Sequence, residues 1–188
     1  MSEQQRDVIE ILMHDHRAVE EMFSELESLP NTRDNATRRK TLADKVIIEL
    51  VRHSVAEETE VYPAVKEKVS AEEAERAKHE HAEAEETMHI LDSLDADDPD
   101  FDAQLVLLMR EVRAHVAEEE NEIFPHMRQI FSPAELVELG RRVERVKGKA
   151  PTRPHPSAPD EPPANRLAGP ATGLLDRLRD SLTGRGRD

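Results

Sequence analysis

An eleven-residue frame occurs twice in the chain. Residues 53–63 read HSVAEETEVYP and residues 115–125 read HVAEEENEIFP. Aligned without gaps, both give H-x-x-x-E-E-x-E, then an aliphatic, an aromatic and a proline. His53 pairs with His115, Glu57 with Glu119, Glu58 with Glu120, Glu60 with Glu122 and Tyr62 with Phe124. Each copy sets a His and a Glu four residues apart. On an α-helix that spacing returns to nearly the same face, about 6 Å further along the axis. An imidazole and a carboxylate so placed can reach one metal ion or two adjacent ones. A single pair of this kind reads more readily as a surface ion pair. The same pair twice in one frame argues for a shared task.

The rest of the chain narrows what that task can be. There is no Cys, which excludes disulfides, thiolate zinc sites and Fe–S clusters. The formal charge of -15 would repel a polyanion, so nucleic acid is not expected as a partner. No basic segment followed by an apolar run opens the sequence, and no stretch is apolar enough to span a membrane. The expected location is therefore cytoplasmic. With no Trp and only 3% aromatic residues, the core must be mostly aliphatic, which suits helices.

Apolar residues recur at three- and four-residue steps from about residue 3 to 29, with His16 on the stripe. A second helix is expected over about 37–67, with Leu50, His53, Glu57 and Val61 inward and a kink at Pro63. Ser70 and Glu73 form a capping-box pattern opening a third helix, whose stripe includes Ala77, His81 and Met88. After an acidic turn, a fourth helix over about 101–131 carries Val112, His115, Glu119 and Ile123 inward, and Pro125 repeats the kink signal. Ser132-Pro133-Ala134-Glu135 opens a short fifth helix. Residues 148–188 read as a disordered tail that holds most of the twelve prolines. Within it, residues 174–182 have the pattern of a short amphipathic helix that could meet a protein partner.

His16 precedes His53 much as His81 precedes His115, so each half is a helix with one inward His, a loop, and a helix with an inward His and Glu. Two such hairpins predict an all-α, antiparallel up-down-up-down four-helix bundle over residues 1–147, closed by the fifth helix. His16, His53, Glu57, His81, His115 and Glu119 then share one layer. Six such groups in an apolar core are costly without a partner, and a metal supplies one. Imidazole with carboxylate suits iron, manganese or zinc, and two carboxylates from different helices can bridge two ions.

The pattern H…H-x-x-x-E…H…H-x-x-x-E on four helices resembles the hemerythrin-like, or HHE cation-binding, domain over about residues 5–130. The resemblance implies a non-haem centre of two iron ions with a bridging oxo or hydroxo group, rather than zinc or manganese. By position, His16, His53, His81 and His115 would be terminal ligands, and Glu57 and Glu119 bridges. Glu120 competes with Glu119 but breaks the repeat. Oxygen-carrying hemerythrins have a further His on the third helix. Here Glu85 stands four after His81 and Ala77 four before it, so either Glu85 is an extra ligand or one iron is more open. That departure favours redox chemistry or sensing over simple oxygen carriage, and the leading expectation is reaction with O2, peroxide or NO, including peroxide decomposition. A metal- or oxygen-dependent sensor and an iron buffer without turnover are the alternatives. Glu58, Glu60 and Glu122 are expected to be solvated or to lie behind the ligands. His14, His79, His126 and His155 are expected at the surface, and Tyr62 is expected to pack.

Overall fold

The computed structural model of the chain describes residues 6–156 and, beyond them, Asp176, Arg179, Asp180 and Arg185. Helix α1 spans Val8–Ser28. It starts inside the span its apolar pattern predicts because Asp7 and Glu10 form a capping box, each side chain accepting from the other's backbone N–H at 3.0 Å. A 3₁₀ turn at Arg33–Asn35 leads into α2, Ala36–Ala56. Ser70 caps α4, Ala71–Ser93, and the Ser132–Glu135 capping box opens α7, Pro133–Lys147. Both N-cap serines are the ones the sequence pattern predicts, but the full capping box forms only at Ser132, because the Glu73 carboxylate meets His126 instead of returning to Ser70. No β-strand occurs among the described residues, and no helix there is long and apolar enough to cross a membrane.

The two long rods are interrupted at matching places. α2 passes into a π-turn at Glu57–Val61 and continues as α3, Tyr62–Lys68. α5, Phe101–Glu118, passes into a π-turn at Glu119–Ile123 and continues as α6, Phe124–Ile130. In each turn a backbone N–H reaches five residues back, from Tyr62 to Glu57 and from Phe124 to Glu119. The kinks expected at Pro63 and Pro125 take this form. A proline has no N–H to donate and its ring crowds the carbonyl four residues back. Placed in the first turn of α3 and α6, the prolines fall where the helical ladder has already changed register.

α1 and α2 form one antiparallel hairpin, and the α4 and α5 rods form the other, with α2 against α4 between them. The interior is two apolar clusters with a polar layer between. One cluster includes Leu12, Ala56, Val65, Ala77, Ile123 and Met127. The other includes Val19, Phe23, Leu50, Met88, Leu108 and Val112. His16, His53, His81 and His115 lie at the boundary on their four helices, each with an apolar neighbour on either side along its stripe.

α7 packs on α1, α2 and the first π-turn. Its Gly140 sits so close to the start of α1 that an added Cβ would lie 3.0 Å from both Arg6 O and Val8 N. Most of the expected disordered tail, including most of 174–182, lies outside the described residues. Among the described ones, Arg153, His155 and Arg185 meet side chains of α4. Asp176 accepts from the backbone N–H groups of Thr152 and Arg153 at 3.2 Å, and Arg153 and Arg185 both pair with Asp92.

Candidate metal centre

The six residues singled out from the sequence meet in one buried layer. His16, His53, His81 and His115 are 5–8% exposed, and Glu57 and Glu119 are fully buried. His53 Nε2 lies 3.0 Å from Glu57 Oε2, as the i,i+4 spacing requires, and His81 Nε2 reaches the same oxygen from the other half at 3.4 Å. Glu119 mirrors this, with its Oε2 3.6 Å from His115 Nε2 and 3.3 Å from His16 Nε2. Both carboxylates thus touch imidazoles of both halves.

Two donor sets result. His16, His53, Glu57 and Glu119 each offer an atom within 4.8 Å of all the others, and so do Glu57, His81 and His115. Glu57 belongs to both sets. The atoms are short of partners of the ordinary kind. His16 Nε2, Glu57 Oε1 and Glu119 Oε2 are buried without a hydrogen bond, and His81 Nε2 faces His115 Nε2 at 3.0 Å. A buried cluster of nitrogen and carboxylate acceptors this dense calls for cations, either protons or a metal. The donor set fits iron, manganese or zinc.

Behind each imidazole stands a carboxylate. Nδ1 of His16 meets Glu120 at 2.9 Å, that of His53 meets Asp15 at 3.3 Å, that of His81 meets Glu58 at 3.0 Å and that of His115 meets Glu80 at 2.7 Å. Each Nδ1–H donating outward leaves the Nε2 lone pair aimed at the centre and makes it a stronger donor. The arrangement obeys the repeat: Glu58 and Glu120 cross to the first His of the other half, while Asp15 and Glu80 back the second His of their own half. Burial alone would lower the His53 and His81 imidazoles. For His53 the charge of Glu57 and the bond to Asp15 outweigh burial, and for His81 the bonds to Glu57 and Glu58 do, so both are pushed up to about 10.

The π-turns add a residue on each side. In an unbroken α-helix, Tyr62 would lie about 140° around from Glu57. The wider turn brings it onto the face of the centre. Its buried hydroxyl donates to Glu119 Oε1 at 2.9 Å and lies 3.0 Å from His81 Nε2 and 3.3 Å from His115 Nε2. Burial, then the charges of Glu119 and Glu57, hold the phenol well above its usual range. Its repeat partner Phe124 stacks on His16, ring centroids 5.8 Å apart. On the opposite side a cavity of about 30 Å³ touches all four imidazoles and is otherwise lined largely by Val19, Leu50, Ala84, Met88, Val112 and Val116. It has space for one or two water-sized molecules.

The model of the hemerythrin HHE cation-binding domain matches residues 7–127. The chain belongs to this family. Among its relatives is an uncharacterized hemerythrin-like protein of Schizosaccharomyces pombe, 34% identical over 179 residues that cover 93% of this chain and 86% of that protein. A hemerythrin HHE cation-binding domain-containing protein of Mycobacterium kansasii has the same fold. It superposes with a TM-score of 0.65 at 24% identity, over 76% of this chain and 88% of that one.

In this hemerythrin-domain chain, two residues left open by the sequence have found places. Glu120 is bonded to His16 Nδ1 and Glu85 to the backbone N–H of His155 at 2.9 Å, and neither belongs to the two donor sets. Burial holds Glu85 above the usual carboxylate range. Tyr62 does more than pack, because the π-turn that re-aims it leaves no trace in a 3.6-residue period. Glu60 is buried and paired with Arg142 of α7, whereas Glu122 is exposed and paired with Arg76. His14 and His79 are exposed, and His126 is partly exposed beside Glu73. Asp15 and Glu80 were missed. Their signal was there in an acid directly preceding each first-helix His, Asp15-His16 and Glu80-His81.

Proposed function

We propose that the chain holds two iron ions through His16, His53, His81, His115, Glu57 and Glu119 and uses them to react with O2, NO or peroxide. The observation that carries this reading is the pair of buried donor sets sharing Glu57, with acceptor atoms that no protein donor satisfies. Two iron ions bound there supply electron exchange with a small ligand. The chain supplies the rest. Asp15, Glu58, Glu80 and Glu120 fix all four imidazole tautomers. The aliphatic lining of the cavity keeps bulk water and larger molecules away from the imidazole layer. Tyr62 holds a proton on its phenolic oxygen and donates a hydrogen bond with it to Glu119. Glu57 and Glu119, each between imidazoles of both halves, would hold the ions together with the four imidazoles.

Peroxide decomposition is the activity favoured by a small, mostly apolar cavity with a proton-bearing phenol across the layer from it. Purified protein should carry about two irons per chain, and peroxide turnover should vanish on His53→Ala. Iron-loaded protein that neither turns over peroxide nor binds O2 or NO contradicts this reading. One observation favours a second, sensing role. Glu85, next to cavity-lining Ala84, is bonded to His155 of the tail, so events at the centre have a short route to residues beyond the bundle. Truncation after residue 147 that leaves the binding partners of the protein unchanged would exclude that role.

A further inference from the structure

The repeat makes the two poles of the centre alike in their imidazoles, but α7 occurs once and touches one pole. Its last residue, Lys147, places Nζ 2.5 Å from Asp15 Oδ2. The same oxygen lies 3.3 Å from His53 Nδ1. Asp15 is also the least exposed of the four supporting carboxylates, at 13% of its side chain against 18% for Glu58, 29% for Glu80 and 32% for Glu120. Among the described residues, Glu58, Glu80 and Glu120 have no lysine or arginine in ion-pair contact. Arg76 acts on Glu80 only as a more distant charge. α7 is held in place for this contact by the close approach of Gly140 to α1 and by the Arg142–Glu60 pair.

A carboxylate that accepts from Nδ1 makes the opposite nitrogen a stronger donor to a metal. A lysine sharing that oxygen draws the carboxylate's charge away from the imidazole. It also brings a positive charge into a poorly solvated region, where it is weakly screened. Both effects favour the reduced, less positive state of a metal at that pole. We propose that Lys147 is a positioning residue that acts through Asp15 and His53 to raise the reduction potential of the metal at the His16/His53 pole. The pole at His81 and His115, with the Tyr62 hydroxyl and, among the described residues, no lysine paired with its supporting carboxylates, keeps the lower potential. The inference rests on the metal-binding reading above.

The test compares wild-type protein, Lys147→Met and Lys147→Arg after loading with ferrous iron under nitrogen, by iron content, melting temperature and redox titration. Lys147→Met should keep its iron and lower the higher of the two midpoint potentials by about 59 mV, a tenfold change for a one-electron couple. Lys147→Arg should restore the wild-type value. Unchanged potentials in Lys147→Met overturn the proposal. A lower iron content and melting temperature, with the iron that remains bound titrating at the wild-type potentials, also overturns it, by making Lys147 a structural clamp. Wild-type protein that takes up no iron defeats the metal reading itself and the proposal with it, a failure recognisable because it precedes any substitution.

Discussion

At the scale of single residues, the proposed ligand atoms and the atoms behind them have separable roles. Glu120→Gln removes the charge backing His16 but leaves every donor of the inner sets in place. Metal affinity is expected to fall by about 10- to 100-fold, read by competition with a chelator. Glu122→Gln, at an exposed carboxylate paired with Arg76, should leave it unchanged. Tyr62→Phe turns the first π-turn's aromatic into the residue its repeat partner already is. Iron should still bind, with altered optical absorption and slowed peroxide turnover, and identical spectra and rates would reduce Tyr62 to packing. The pH dependence has a definite sign. His53 and His81, pushed up to about 10, are protonated near neutrality when no metal is bound, so metal uptake must displace protons. Affinity should therefore weaken as pH falls, and a pH indicator should report proton release on loading. In chelator-stripped protein, the stability contributed by these two groups is full below the unfolded value of 6.5 and is lost as pH rises through about 10.

At the scale of elements, the four inward histidines were legible because they sit on strict 3.6-residue stripes, and the caps because Ser70 and Ser132 carry their partners three residues on. The π-turns were not, although both prolines flagged the place. A local change of helical register cannot be separated from a kink by periodicity alone, and so Tyr62 was assigned to packing. The Asp15 and Glu80 contacts cross between helices, and their pairing depends on the rotation of each helix about its axis. α7 was expected, but its docking on α1 was not, because a small residue in a helix does not say which backbone it admits. Gly140→Ala improves helix propensity by about 1 kcal/mol, yet its Cβ meets two backbone atoms of a capped helix start. Overpacking against such fixed atoms costs about 1–3 kcal/mol. The variant should melt at a lower temperature than wild type, and a higher one would show that α1 yields freely.

At the scale of the whole molecule, the polar layer splits the core, and three of its buried atoms, His16 Nε2, Glu57 Oε1 and Glu119 Oε2, have no hydrogen-bond partner. The fold and its centre are therefore one thermodynamic system: a ligand that binds the folded state alone stabilises it in proportion to the logarithm of its concentration over Kd. Removal of metal by a chelator should lower the melting temperature, and readdition should restore it. Symmetry carries the proposed ligands, and departures from symmetry among the described residues, Tyr62 against Phe124 and Lys147 on one side, distinguish the poles. The most direct test of the account is an anaerobic titration of the stripped protein with ferrous iron, comparing wild type with Glu57→Gln, which removes the charge of the carboxylate common to both donor sets. The account predicts uptake of about two irons per wild-type chain, with the second lost or greatly weakened in Glu57→Gln. Saturation of the wild type at one iron, or two irons held as tightly by the variant, would contradict it.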